Sequence, residues 1–282
     1  MNSRNAKQMK GLTDTALQCM VARSNSGYPY AKEFYDAYIK QYKFVNIFGV
    51  DTRKDKLAPK GTPDLRTERT MESIGKTGIT QILELGAGMS TQGFAYCKDN
   101  PHATYVEVLY KNEKQGIDES KIKTDTLEHM KHKVGGIPDN LHIYGGDILD
   151  EEIFGTVAKH FDCNKPVVVT HSGVLMYHPD IEKEKLAVNI KNFLAEFGGK
   201  WISPDFTTHK FSTACMQELS DEVGGLYPFA SQEEIIKFFE KVDLSPSFLA
   251  TDDVKQKLKS CNGEYCKDNY NYVKVDINKT EK

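Results

Sequence analysis

Gln81-Ile82-Leu83-Glu84-Leu85-Gly86-Ala87-Gly88 is the stretch that decides how the rest of the chain is read. Ile82, Leu83 and Leu85 make a short β-compatible run, with the acidic Glu84 near its end, that breaks into Gly-Ala-Gly. Two glycines let a backbone turn sharply and come close to a ligand with no Cβ in the way. Residues 89–97 can start a helix, with Ser90 or Thr91 placed to cap it. Strand, glycine turn and helix, in that order, is how a doubly wound α/β sheet opens a ligand crevice at the carboxyl ends of its strands. An ordinary buried strand followed by a turn reads the same way over these residues alone.

The turn discriminates among ligands. A dinucleotide site expects a third small residue, so that the helix packs closely while its N-terminus faces a pyrophosphate. That position holds Thr91, and Gly93 comes two residues late. No Lys-Ser/Thr pair follows, which excludes a phosphate-cradling P-loop. S-adenosylmethionine carries no phosphate and needs only the close backbone approach and a carboxylate for its ribose. The stretch fits that simpler demand better than a nicotinamide cofactor.

Composition sets the frame. A chain of 282 residues makes one large domain, or one domain with a cap. Its net charge of −3, with acidic and basic residues interspersed, argues against a nucleic-acid-binding face. No apolar run approaches the roughly 20 residues that span a bilayer, and residues 1–10 are polar with no apolar signal core. The expectation is a cytoplasmic protein with no membrane partner. Cys19, Cys97, Cys163, Cys215, Cys261 and Cys266 form no C-x-x-C pair and no zinc-finger spacing, so no metal site is expected. Cys261 and Cys266 bracket the turn signal Asn262-Gly263, and in a reduced compartment they read as free thiols.

Three sections follow from the pattern. Residues 1–75 read as an N-terminal helical cap. Thr13 is placed to cap a helix carrying Ala16, Leu17, Met20 and Val21 on one face, broken at Asn25-Ser26-Gly27. Phe34, Tyr35, Tyr38, Ile39 and Tyr42 recur at helical spacing, either as core packing or as the wall of an acceptor pocket. Residues 51–64 read as a charged loop and 65–75 as a short helix with Arg66 and Arg69. Residues 76–206 repeat strand and helix, the pattern of a parallel sheet with helices on both faces. Strands are expected at 102–109, 140–144, 166–170 and 200–206, the last closing with Pro204-Asp205-Phe206, with a solvent-facing helix at 118–133 and an apolar-striped helix at 180–197 stopped by Gly198-Gly199. Residues 207–282 complete the sheet, with helices at 233–241 and 252–259 and an edge strand at 272–277.

Several polar residues fall at strand ends. Glu107 lies about 20 residues past the glycine turn, the spacing of a carboxylate that bonds ribose hydroxyls; a charge in an apolar strand is costly without such a partner. Asp147 follows Gly145-Gly146 and either reaches an adenine amino group, with Ile148 on the ring, or caps the turn at Leu149. His171 and Ser172 end the most apolar strand.

The order ELGAG, YVEV, GGDIL, SGVLMYHP and GGKWISPDF resembles the S-adenosylmethionine-dependent methyltransferases of the leucine carboxyl methyltransferase type, from about Thr15 to Phe206. The resemblance implies a Rossmann-like class I methyltransferase sheet. It implies that Glu84, Gly86, Ala87 and Gly88 line the methionine part of the cofactor and that Arg66 pairs with its carboxylate. Glu107 would hold the ribose, Asp147 and Ile148 the adenine, and Ser172 and the residues around it would flank the transferred methyl. The chain departs from the pattern at Ser172, where an acid is common, at Leu109, where an Asp is common, and at Gln92, where an Arg is common.

Methyl transfer from a sulfonium is an in-line displacement in which position and dryness do most of the work. A carboxylate acceptor needs no base. For a hydroxyl acceptor His171 is the candidate base and Tyr177 the candidate donor or pocket wall. The expectation is O-methylation of a small-molecule or protein acceptor; the departures leave open a cofactor- or partner-binding protein without chemistry.

Overall fold

Val167, Val168 and Val169 favour strand and have nowhere to go but a two-sided core; they form β4 (Val167–His171), buried along its whole length. The computed structural model describes residues 15–17, 19–42, 46–47, 50–51, 62–207, 220–221, 223–249 and 270–280. Thr13, the loop at 52–61, the helix expected at 252–259, and Cys215, Cys261 and Cys266 lie outside the described residues.

Around β4 run β1 (Gln81–Leu85), β2 (Thr104–Asn112), β3 (Leu141–Gly146) and β5 (Gly199–Thr207), all parallel, in the order β3-β2-β1-β4-β5. β6 (Ser247–Phe248) and β7 (Tyr270–Ile277) complete the sheet. β7 runs antiparallel between β5 and β6, so these seven strands lie in the order 3-2-1-4-5-7-6, and a two-residue eighth, Ile117–Asp118, pairs antiparallel with the end of β2. The strand expected at the edge is therefore an inner one, and the two-residue β6 takes the edge. Chain direction through the sheet reverses between β1 and β4, and at such a switch point the crevice opens at the strands' carboxyl ends.

Alternation sorts the strand side chains between two layers. Leu83, Leu85, Val106, Val108, Val169 and Trp201 pack against α5 (Glu151–Ala158), α6 (Asp180–Phe197) and α7 (Gln232–Glu240). Ile82, Tyr105, Val168 and Ile202 pack against α3 (Gln92–Asp99), α4 (Glu119–Met130) and the N-terminal helices. These last are residues 15–17 and 19–24, α1 (Ala31–Tyr42) and α2 (Thr62–Gly75). Phe34 and Tyr38 are buried, with Tyr35, Ile39 and Tyr42 partly so, in the same cluster as Ile82 and Phe94. The aromatic stripe of α1 is core.

Two other expectations change. α2 begins at Thr62, not Leu65, with Pro63 in the first turn, where a missing N–H costs nothing. α4 is not solvent-facing: Glu119, Lys123, Thr126, Leu127 and Met130 are buried at helical spacing. Among the described residues no helix is long and apolar enough to cross a membrane, and no cluster of three or more His, Cys, Asp or Glu side chains could hold a metal ion.

Candidate functional site

The glycine turn at the end of β1 uses the conformation only glycine holds cheaply. Gly86 has φ +67° and Gly88 φ +51°. Each is also approached closely. A Cβ on Gly86 would lie 2.5 Å from Cγ2 of Val174, in the segment after β4, and one on Gly88 would lie 3.2 Å from Cβ of Ala16. The glycines thus bring the β4 segment and the first N-terminal helix down onto the turn. Ser90 accepts a hydrogen bond from the Gln92 N–H at 3.0 Å, at the start of α3. Thr91 instead donates to the Pro29 carbonyl at 2.9 Å and ties the turn to the N-terminal section.

Opposite the turn lie the residues after β4. Gly173 (φ +75°) sits beside Arg66, whose Nη1 would be 3.8 Å from a Cβ there. The Ser172 hydroxyl is buried and makes no hydrogen bond among the described residues. Tyr177 ends the short 3₁₀ turn Leu175–Tyr177. Burial pushes its hydroxyl up to about 12, against the opposite pull of a hydrogen bond with Thr15 and the charge of Arg66, so it stays protonated near neutrality. The structure therefore brings Arg66, the Gly86-Ala87-Gly88 turn and the segment from Ser172 to Tyr177 together at the carboxyl ends of β1 and β4, with Thr15 and Ala16 against them.

His171 is close in sequence but is sealed off. Its side chain is fully buried. The Trp201 indole N–H donates to Nε2 at 3.0 Å, so that nitrogen carries no proton. Nδ1 then holds the proton and donates to Asp205 Oδ2 at 3.2 Å, with Ser203 Oγ 3.1 Å away. Both ring nitrogens are engaged in this network, which leaves the ring no lone pair to offer an acceptor. Asp205 was not singled out from sequence, yet it accepts the N–H groups of Gly173 at 2.8 Å, Val174 at 2.6 Å and Leu175 at 2.7 Å. Burial alone would raise its carboxyl. The His171 hydrogen bond and the Leu175 and Val174 N–H groups override that and hold it at about 2.

Glu84 and Glu107 belong to a different place. They are register partners on β1 and β2, buried in the layer under α3 and α4. Lys123, also fully buried, reaches Glu107 Oε2 at 2.5 Å. Tyr105 donates its hydroxyl to Glu84 at 2.8 Å and accepts from Gln92 at 3.1 Å. Burial, and then repulsion from Glu107, pushes Glu84 up to about 7 despite Lys123 and Tyr105. Glu107 is raised by burial as well, with Lys123 pulling the other way. Gly93 is explained here. A Cβ on it would lie 2.5 Å from Glu107 Oε1 and 2.8 Å from the Tyr105 ring, so this glycine lets α3 lie on the polar pair. Lys123 had a legible signal, since it shares the buried stripe of α4 with Leu127 and Met130.

Asp147 and Ile148 lie past β3, two strands from β1. Asp147 is exposed and accepts the Leu149 N–H at 2.9 Å, a local turn. Ile148 is partly buried against the α5–α6 layer. The cap of α5 is Asp150, which accepts from Glu152 at 3.1 Å.

No protein-family model matches the chain, and no curated protein is detectably similar in sequence. Solved structures share its fold. A DUF574 family protein from Streptomyces avermitilis overlaps with a TM-score of 0.54 at 14% identity, covering 92% of this chain and 97% of that one. An O-methyltransferase family protein from Burkholderia thailandensis overlaps at 0.46 and 11% identity, over 77% of this chain and 59% of that one. Magnesium protoporphyrin IX methyltransferase from Synechocystis, with bound SAH, overlaps at 0.45 and 10% identity, over 86% and 94%. Overlap at this level speaks to the fold and not to activity. With the 3-2-1-4-5-7-6 order and its antiparallel β7, the fold is a doubly wound Rossmann-like sheet, which the DUF574 family protein shares.

Proposed function

We propose that this chain is an S-adenosylmethionine-dependent methyltransferase that acts on an oxygen of a small-molecule or protein acceptor, and specifically on a carboxylate. The observation that supports it most is the crevice itself: a left-handed Gly86–Gly88 turn at the switch point, faced by Arg66, Ser172 and Tyr177. The donor set fits the cofactor's amino-acid end. The glycine backbone allows close approach, Arg66 suits a carboxylate, and Ser172 Oγ is a buried polar atom without a partner among the described residues. Glu107, shut beneath α3 against Lys123, does not fit the ribose role in this conformation.

When bound, S-adenosylmethionine supplies a methyl already activated on a sulfonium. The chain's own contribution is to orient and to exclude water. Ala16 and Val174 close over the turn, and Tyr177, kept protonated, cannot serve as the base. His171 cannot take a proton without giving up the Trp201 indole. A hydroxyl acceptor would need a base that this end of β4 does not offer, whereas a carboxylate is ionised at neutral pH and needs none.

The test is calorimetric titration of the folded protein with S-adenosylmethionine and with S-adenosylhomocysteine. Micromolar binding, weakened by Arg66→Ala, is expected; absence of binding by both overturns the reading. Glu107→Ala separates the ribose role from a structural one, since unchanged affinity removes Glu107 from the site. One observation favours a second reading, a binding protein without chemistry: Ala16 and Val174 occupy the space the glycines open. Turnover of the cofactor with any acceptor would sink that alternative.

A further inference from the structure

Asp205 does something no local cap does. The 3₁₀ turn Leu175–Tyr177 has no side-chain cap of its own, since its N-cap residue is Val174. The acceptor comes instead from β5. One carboxylate takes three successive backbone N–H groups, from Gly173, Val174 and Leu175. Such an arrangement is an anion in a backbone nest, built from charge-assisted hydrogen bonds. The loop so held carries the side chains that face the glycine turn. Val174 covers Gly86, Gly173 lies beside Arg66, and Ser172 and Tyr177 flank the clamped residues on either side. Behind Asp205 the chain of bonds continues through His171 Nδ1 and Nε2 to the Trp201 indole, and Ser203 braces it by donating to the His171 carbonyl at 2.9 Å. Every one of these groups is buried, and none reaches the crevice.

We infer that Asp205 is the positioning residue of the β1–β4 crevice: it fixes loop 173–175 in the shape that receives ligand, and His171 acts only through it. The ligand arm of its test rests on the methyl-donor reading. Trp201 is the chain's one tryptophan. Its emission therefore reads this network directly.

The test uses the full chain carrying Asp205→Asn. The amide keeps one acceptor oxygen, so in either orientation its NH₂ meets at least one of the backbone N–H groups the carboxylate received. Three results are expected. Affinity for S-adenosylhomocysteine falls about tenfold or more. Amide hydrogen exchange at 173–175 accelerates while β1 and β4 keep their protection. Phe161→Leu, a cut in the same core away from the network, where the ring meets Phe193 and Phe197, lowers stability yet leaves affinity unchanged. Wild-type affinity in Asp205→Asn overturns the inference, as does an equal loss in Phe161→Leu. If the wild-type protein binds no S-adenosylhomocysteine, the methyl-donor reading fails, and the exchange arm alone decides: released 173–175 amides uphold the clamp, and unchanged amides overturn it. If Asp205→Asn does not fold, His171→Phe serves. It leaves the three backbone bonds in place, so a shifted Trp201 emission with an affinity loss of about threefold is expected; no change in either overturns the inference.

Discussion

Asp205 and Glu84 are both carboxylates buried in one sheet, on opposite faces of it. Asp205 lies on the α5–α7 side and is surrounded by donors: three backbone N–H groups and the His171 ring. Glu84 lies on the α3–α4 side with one neutral donor, Tyr105, and a second carboxylate, Glu107, for a neighbour. One lysine, Lys123, serves both. The same chemical group is held at about 2 in one place and pushed to about 7 in the other. Burial acts in the same direction on both. The number of donors aimed at the oxygens decides the sign.

The sharpest way to break this comparison is to remove Lys123. Lys123→Met leaves Glu107 with no cation in a layer that excludes water. Cutting one partner from a buried ion pair costs about 3–5 kcal/mol. Denaturant unfolding at pH 8 is expected to show a loss of that size. The loss shrinks at pH 6, where protonation relieves the stranded carboxylates. A loss independent of pH would mean that Lys123 contributes packing rather than charge.

Glu84 itself gives the next effect. Its folded-state pKa is raised, so the folded protein holds a proton that the unfolded chain gives up. Stability therefore falls as pH rises from about 4.5 through about 7 and levels off above. Glu84→Gln mimics the protonated form. It is expected to leave stability unchanged near pH 4.5 and to raise it by about 3 kcal/mol at pH 8. Asp205 has the opposite sign. Its contribution is complete above the ordinary carboxylate value and is lost as pH falls through about 2. Thermal melts across pH 2–9 should therefore show two slopes of opposite sign, and Glu84→Gln should flatten only the neutral one.

The two clusters also mark what the sequence makes legible. The β-branched run of β4, the glycine turn of β1 and the apolar stripe of α6 each follow from local rules, and they suffice for a doubly wound sheet. The crevice partners Arg66, Ser172 and Tyr177 sit at element ends, where chain order alone places them near the turn. The interior partners are another matter. A histidine at a strand end reads the same whether it faces ligand or a tryptophan, and the choice was made by Trp201 and Asp205 on β5. That strand runs to Thr207, one residue past the expected close at Phe206, and β7 pairs with it to that end. Glu107 looked like a ribose carboxylate because its strand position suits one. What covers it is set by the rotation of α4, which brings Lys123 inward rather than its neighbour Lys121, and by a glycine in α3.

That glycine carries the smallest predicted effect and the finest test of the contrast. Gly93 comes too late to complete a dinucleotide fingerprint, and its lack of a Cβ lets α3 rest on Glu107 and Tyr105. In an exposed helix Gly→Ala would stabilise by about 1 kcal/mol. Here the new methyl would meet Glu107 Oε1 at 2.5 Å and the Tyr105 ring at 2.8 Å. Neither is the free end of a flexible chain, since Lys123 holds one and Glu84 the other. Overpacking of this kind costs about 1–3 kcal/mol, so Gly93→Ala is expected to destabilise in spite of its helix propensity. Pairing it with Glu107→Ala removes the nearer obstacle and should return part of the loss. If Gly93→Ala is instead neutral or stabilising, α3 does not lie on the polar pair, Glu107 is not shut from the crevice, and its ribose role is restored.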